Sequence, residues 1–270
     1  VARQAYKYLP ANDLTLAGFW PRMSRTVSVQ TSPPGADVYF GDYSATDSPW
    51  EYAGRSPIER LRVPRGLLRW KFAKQGFPAI ERAIGGIYRD ASAPIAVTLD
   101  AEGSAPAGMV RVPGGGAPYA LVLPGFEHIE PVPLEDYWID KYEVANKQYK
   151  EFVDRGGYQK QEYWKEKFVR DGRTLTWQEA VAQFRDAAGR PGPATWELGD
   201  YPRGQDDYPV SGISWYEAAA YAQFAGKSLP TIFHWNKAAA PGTASAIVPL
   251  SNFAGQGPAR RLRLLLHVEQ

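Results

Sequence analysis

One stretch of this chain fixes more of its folding than any other: Ser214, with Glu217 three residues on, has the spacing of a capping box. In that arrangement the hydroxyl accepts from an amide at the helix start, and the carboxylate reaches back to the cap residue's own N–H. Trp215, Ala218, Ala222 and Ala225 then fall on one face at helical spacing. Gly226 ends the helix with a residue that tolerates left-handed angles. Leu229-Pro230-Thr231 opens a second short helix, with Thr231 as its expected cap and Phe233 and Trp235 in its first turn. Two short helices joined by Gly-Lys-Ser-Leu-Pro make a packing unit, and nothing in it performs chemistry by itself.

Composition agrees with short elements. The 270 residues include 26 glycines and 23 prolines, and Trp, Tyr and Phe number 9, 16 and 11. Such a chain is expected to build loop-rich domains around aromatic cores. A net charge of +2 is too small to argue for nucleic acid or an anionic membrane surface. No apolar run has the length of a transmembrane helix, and no signal-peptide pattern opens the sequence. Position 1 is Val, so the chain is expected to be cut from something longer. Cysteine is absent, which excludes disulfides, thiolate metal sites and cysteine nucleophiles within these residues.

In chain order, residues 1–24 read as a helical remnant: Ala2, Ala5, Tyr6 and Leu9 form a stripe ended by Pro10, and Asn12-Asp13 caps a successor running to Trp20. Thr26–Thr31 and Asp37–Phe40 alternate as strands around the turn Pro33-Pro34-Gly35-Ala36. Leu61–Val63, Leu68–Phe72 and Ile95–Leu99 complete a small antiparallel sheet, with Gly54-Arg-Ser-Pro57 as a further turn. The pattern Val-Ser-Val-x-Thr-x-Pro-x-Gly-Ala-x-Val, then Gly-x-x-Pro, Arg65-Gly66 and Lys74-Gln-Gly-Phe77, resembles the PEGA domain. That resemblance implies a small β-sandwich over residues 25–100 with a spacer or adhesion role. Arg60, Arg62, Arg65, Arg69 and Lys71 read as a basic edge, and solvated charges guarding an edge strand are the favoured interpretation.

Residues 101–107 read as an interdomain linker. Met109–Pro113 then opens a second domain as a strand, with Gly114-Gly115-Gly116 expected to form a hairpin turn. Tyr137–Val144 alternates as a strand, and Asn146 is placed to cap a helix through Val153. Thr176-Trp-Gln-Glu179 is a second capping box, before a helix carrying Ala180, Val181 and Phe184. Gly108–Gly114, Tyr137–Val153, Pro209-Val-Ser-Gly-Ile-Ser-Trp-Tyr-Glu-Ala218 and Gly226-Lys-Ser-Leu-Pro-Thr231 are similar to the formylglycine-generating enzyme (sulfatase-modifying factor) family. The similarity runs over residues 108–258 and implies a C-type-lectin-like fold with little regular structure. The expected class is therefore α+β: a PEGA-like β-sandwich followed by a truncated domain of this family. The family usually has Thr where this chain has Ala145.

The resemblance implies a chemistry that these residues do not carry. Active members oxidise a substrate cysteine to formylglycine with oxygen and copper held by two cysteines, and soft thiolates do select Cu(I). Related branches use iron for sulfur–carbon bond formation. In the family, the cysteine pair and the Asn-Val-x-Glu-Trp and Arg-Gly-Gly-Ser-Trp segments follow the equivalent of residue 258, and none occurs here. Residues 259–270 are instead an Arg/Leu-rich run, read either as a basic amphipathic tail or, preferably, as a frameshifted or truncated end. No catalytic residue and no bound cofactor are expected. The one metal expectation is a partial calcium site at Asn252 and Phe253, short of the six to eight oxygens calcium takes. Asp206-Asp207 reads as solvated loop, His234 as a helix-surface residue, and His128 and His267 have no partner at metal-ligand spacing. The PEGA-first order also resembles the C-terminal part of certain bacterial serine/threonine kinases, which implies a protein or peptide partner, fusion to a kinase and an extracytoplasmic location. The expected function is a non-catalytic interaction or sensor module; the alternatives are a formylglycine-generating-type oxidase in a longer protein, or a kinase fragment.

Overall fold

The computed structural model describes residues 13–45, 47–85 and 93–240, and of residues 15–17 the backbone alone. It is a mixed α+β chain built from small sheets and short helices, and it divides into two compact units. Among the described residues the first unit comprises residues 13–140 and 232–240, and the second is Lys141–Thr231.

The first unit begins with α1 (Leu14–Met23), which runs into β1 (Ser24–Ser32). The remaining strands here are β2 (Asp37–Asp42), β3 (Glu51–Arg55), β4 (Ile58–Pro64), β5 (Leu68–Lys74), β6 (Phe77–Ile84) and β7 (Ile95–Thr98). They form two sheets, of order β4-β1-β7 and β3-β2-β5-β6. The strand expectations for β1, β2, β4, β5 and β7 agree with this, but the single antiparallel sheet does not. β7 lies parallel to β1, pairing Val29 with Ile95 and Thr31 with Val97. One core joins the two sheets: Val27, Val29, Val63, Ile95 and Val97 from the first, Val38, Phe40, Leu68, Trp70, Phe72 and Ile84 from the second. Alternation makes this possible, since Leu68, Trp70 and Phe72 point to one side of β5. Burying each such side chain stabilises by roughly 1.5–3 kcal/mol. Inside this unit Thr31 and Ser56 share a buried hydroxyl–hydroxyl hydrogen bond, and Ser56 Oγ also accepts from the Ala36 amide at 3.0 Å.

The basic edge divides between the sheets. Arg60 and Arg62 lie on β4, an edge strand, whereas Arg69 and Lys71 lie on β5, which has β2 on one side and β6 on the other. The Arg69 guanidinium stacks 4.4 Å from the Trp50 ring and donates to the Ser48 carbonyl.

β8 (Met109–Val112) pairs antiparallel with β9 (Tyr137–Asp140), with 24 residues between them, so Gly114–Gly116 does not close a hairpin. Gly114 serves a different need: a Cβ there would lie 1.7 Å from the Leu134 carbonyl oxygen. Arg111 fastens β8 in place. It donates to Asp100 at 2.6 and 3.0 Å, to Asp136 at 3.1 Å, and stacks 4.8 Å from Trp138. The unit closes with α5 (Ile232–Ala239), which starts directly after Thr231.

The second unit holds α2 (Asn146–Asp154), α3 (Trp177–Val181), α4 (Trp215–Phe224) and a two-stranded ribbon, β10 (Val169–Arg170) and β11 (Arg173–Thr174). Its core is aromatic, with Tyr149, Phe152, Tyr158, Trp164, Phe168 and Trp196 all buried. Phe184 lies beyond the end of α3 but still reaches this cluster, stacked 5.5 Å from Trp164. Among the described residues, no helix is long and apolar enough to cross a membrane.

Candidate functional site

The Ser214–Glu217 capping box forms as the spacing dictates. Ser214 Oγ accepts from the Glu217 amide at 3.3 Å, and Glu217 Oε2 accepts from the Ser214 amide at 2.7 Å. The other end of α4 closes in a Schellman motif: the Lys227 amide donates to Ala222 O and the Gly226 amide to Gln223 O, with Gly226 at φ 67°. The buried face shares only Ala222 with the stripe of Trp215, Ala218, Ala222 and Ala225. Trp215 is 57% exposed, while Glu217, Ala220 and Ala222 are buried and Tyr221 and Phe224 pack on the aromatic core. Packing of Ala220, Tyr221 and Phe224 on the aromatic core sets this face, and Glu217, three, four and seven positions before them, is carried inward with it.

Glu217 is therefore a carboxylate inside an aromatic core. It is 3% exposed, and its Oε1 accepts from the Tyr158 hydroxyl at 2.5 Å. Tyr158 in turn lies 3.1 Å from the Tyr149 hydroxyl. Since the Tyr158 proton goes to Glu217, Tyr149 is the donor in that second bond. Burial pushes the Glu217 carboxyl above its ordinary range, against the hydrogen bonds from Ser214 and Tyr158 that favour its charge. Tyr149 and Tyr158 are driven upward, first by burial and then by neighbouring charge. Both phenols stay protonated at any physiological pH.

The loops around α2 are fixed by polar groups the sequence assigned otherwise. Ala145, not Asn146, is the N-cap of α2. An alanine has no side-chain acceptor, and the helix start is capped from a distant loop instead: the Asn146 amide donates to Tyr208 O at 2.8 Å and the Lys147 amide to Asp206 O at 3.0 Å. Asn146, as first residue of the helix, turns its side chain inward, accepting from Trp196 Nε1 at 3.1 Å and donating to Gln205 O at 2.9 Å. The acidic pair is engaged: Tyr201 donates to Asp206 Oδ1 at 3.0 Å, and Lys147 pairs with Asp207 at 2.7 Å. Asp186, unremarked in the sequence, holds the next loop, accepting from the amides of Ala188, Arg190 and Gly199 at 2.9, 2.8 and 2.6 Å. Burial works against its charge, but these amides and the Arg190 cation win, and its carboxyl sits below the usual range.

In the first unit, His234 is half-buried on α5 with its ring edge-on to Tyr137 at 4.5 Å, and Tyr137 donates to the His234 carbonyl. Asn236 on the same helix is buried, accepting from the Tyr119 hydroxyl at 2.8 Å and the Val122 amide at 3.1 Å. His128 is exposed on a loop. Asn252, Phe253, His267 and the 259–270 tail lie outside the described residues, and so does the expected helix before Pro10. Among the described residues no group of three or more histidine, aspartate or glutamate side chains could hold a metal ion. With no cysteine in the chain, the donor set does not fit thiolate-bound copper.

The polar network around Glu217 is what the sequence reading missed. The signal was there: a glutamate at i to Ala220, Tyr221 and Phe224 cannot cap its helix and leave the apolar face.

Comparison with known proteins places these features. The model for the sulfatase-modifying factor enzyme 1-like domain matches residues 96–263. The chain is 34% identical over 170 residues to a formylglycine-generating enzyme of Thermomonospora curvata, covering 54% of this chain and 52% of that protein. It is 34% identical over 128 residues to hercynine oxygenase of Mycobacterium tuberculosis, covering 44% of this chain and 27% of the oxygenase. It is also similar to the serine/threonine-protein kinase pkn1 of Chlamydia pneumoniae, 30% identical over 122 residues, which is 17% of that kinase. The chain thus spans about half the length of these curated relatives, or less.

Proposed function

The chain belongs to the sulfatase-modifying factor enzyme 1-like family, and from that premise we propose that it acts as a non-catalytic interaction or sensor module within a larger protein. The observation that carries this is the use made of the family stretch around α4. Its one carboxylate, Glu217, is held at both oxygens by Tyr158 and Ser214 inside the core, where no substrate reaches it. The cap, the Schellman motif and the ring packing account for the rest of that stretch. The cysteine-free composition points the same way, because a copper centre of the thiolate kind has no ligand in this chain.

The two sheets that share a core before residue 100 support the PEGA-like reading of the N-terminal half, with a spacing or adhesive role. The similarity to a kinase supports fusion to a catalytic domain of that class as the context in which such a module works. The test is enzymatic. A Cys-x-Pro-x-Arg peptide with copper, and hercynine with iron(II) and a thiol, are each incubated aerobically with the chain. No oxygen-dependent product is expected from either, and turnover of one of them overturns the non-catalytic reading.

A further inference from the structure

The second unit contains a line of oxidisable rings with a carboxylate proton acceptor at each end. Tyr201, half-buried, donates its phenol proton to Asp206 at 3.0 Å and packs 5.3 Å from Trp196, centroid to centroid. Trp196 is 1% exposed and lies 6.1 Å from Tyr149. Tyr149 donates to the Tyr158 hydroxyl at 3.1 Å, and Tyr158 donates to Glu217 at 2.5 Å. Tyrosine and tryptophan are the side chains most easily oxidised by one electron in a chain without cysteine. A tyrosine that loses an electron becomes strongly acidic, so it needs a base within hydrogen-bond reach. Both tyrosines at the ends of this line have one, and the inner base is shielded from water.

We propose that these residues form a one-electron relay that carries oxidising equivalents from Tyr201 to Tyr158, an activity separate from the module's structural role. An outer-sphere one-electron oxidant at the surface takes an electron from Tyr201, whose phenol proton passes to Asp206. Tyr201 regains its electron from Trp196 and its proton from Asp206. Trp196 is refilled from Tyr149, whose proton shifts to the Tyr158 oxygen as Tyr158 passes its own to Glu217, and Tyr149 then regains both an electron and a proton from Tyr158. The net change is one electron from Tyr158 to the oxidant and one proton from Tyr158 to Glu217, leaving a neutral Tyr158 phenoxyl radical, a protonated Glu217 and a once-reduced oxidant. Nothing else is consumed. The raised proton affinity of the buried Glu217 favours this end state, and the low exposure of Tyr158, at 3%, protects the radical from solvent.

The test is flash photolysis of the whole chain with tris(bipyridine)ruthenium(II) and a reversible electron acceptor, following the neutral tyrosyl absorption and its electron paramagnetic resonance. The wild type is expected to give a slowly decaying tyrosyl signal whose formation does not depend on buffer concentration, because the proton stays inside. Tyr158→Phe is expected to lose the slow component, and Tyr201→Phe, altered at a partly exposed site, to lower its yield while leaving the circular dichroism unchanged. A slow tyrosyl signal of equal yield in Tyr201→Phe, a tryptophan radical in place of the tyrosyl, or no slow component in the wild type would overturn the relay.

Discussion

Ala145 and Ser214 occupy the same helix position in α2 and α4 and satisfy it by different means. At Ser214 the side chain is the cap, so Ser214→Ala is expected to destabilise by about 1 kcal/mol. At Ala145 the first amides of α2 are already met by the carbonyls of Asp206 and Tyr208, so Ala145→Ser is expected to gain less than about 0.5 kcal/mol, below the usual worth of a cap. Urea melts of the two variants decide between local and long-range capping. Glu217 provides a pH test. Its folded pKa lies above the unfolded value, so its contribution is fully present below the unfolded pKa and is lost as pH rises through the folded one. Glu217→Gln has no such titration. The stability difference between wild type and variant is therefore expected to move in favour of the wild type as pH falls from neutral into the ordinary glutamate range. Asp186 has the opposite sign: its stabilisation is present above the ordinary aspartate pKa and lost on acidification. An Asp186→Asn variant is accordingly expected to lose most relative to wild type at neutral pH and least in acid, read from the same melts.

Among the elements, the strands with neighbours on both sides were legible, as were the edge strands β4 and β7, whereas β3 and β6 were not. β1, β2 and β5 each have neighbours on both sides and alternate buried and open residues, which is the signal periodicity detects. β3 and β6 are the outer strands of the second sheet. Polar Glu51 and Arg55 at the ends of β3, and Pro78, Glu81 and Arg82 in β6, hide them, as edge strands require. Parallel pairing of β7 with β1 was not legible either, since the strand run is the same in both directions. Trp70→Ala is expected to cost about 3–5 kcal/mol, as for a buried aromatic. Gly226→Ala is expected to cost about 1 kcal/mol: space is open around its Cβ, but φ 67° is strained for alanine. Thermal melts of both check the ranking, and a Gly226→Ala loss equal to that of Trp70→Ala would contradict it.

At the scale of the molecule, the family was legible because its marks are local: capping residues, a C-terminal glycine, aromatic anchors at fixed spacing. What those marks hold together was not. The contacts of Tyr158 with Glu217 and of Asn146 with Trp196 join residues more than forty positions apart, and no period in one segment announces a partner in another. The sequence therefore identified α4 as the organising helix but turned it to the wrong face, and took Asn146 for a cap when it ties a loop to the core. Both corrections point in one direction, toward a signature whose polar groups stabilise a frame. The central claim is that this chain carries the family's frame without its thiolate metal centre. It is tested most directly by anaerobic titration of the chain with Cu(I) against a competing chelator. The expected result is that the chelator keeps the metal throughout; one equivalent of Cu(I) taken from it by the chain would contradict the account.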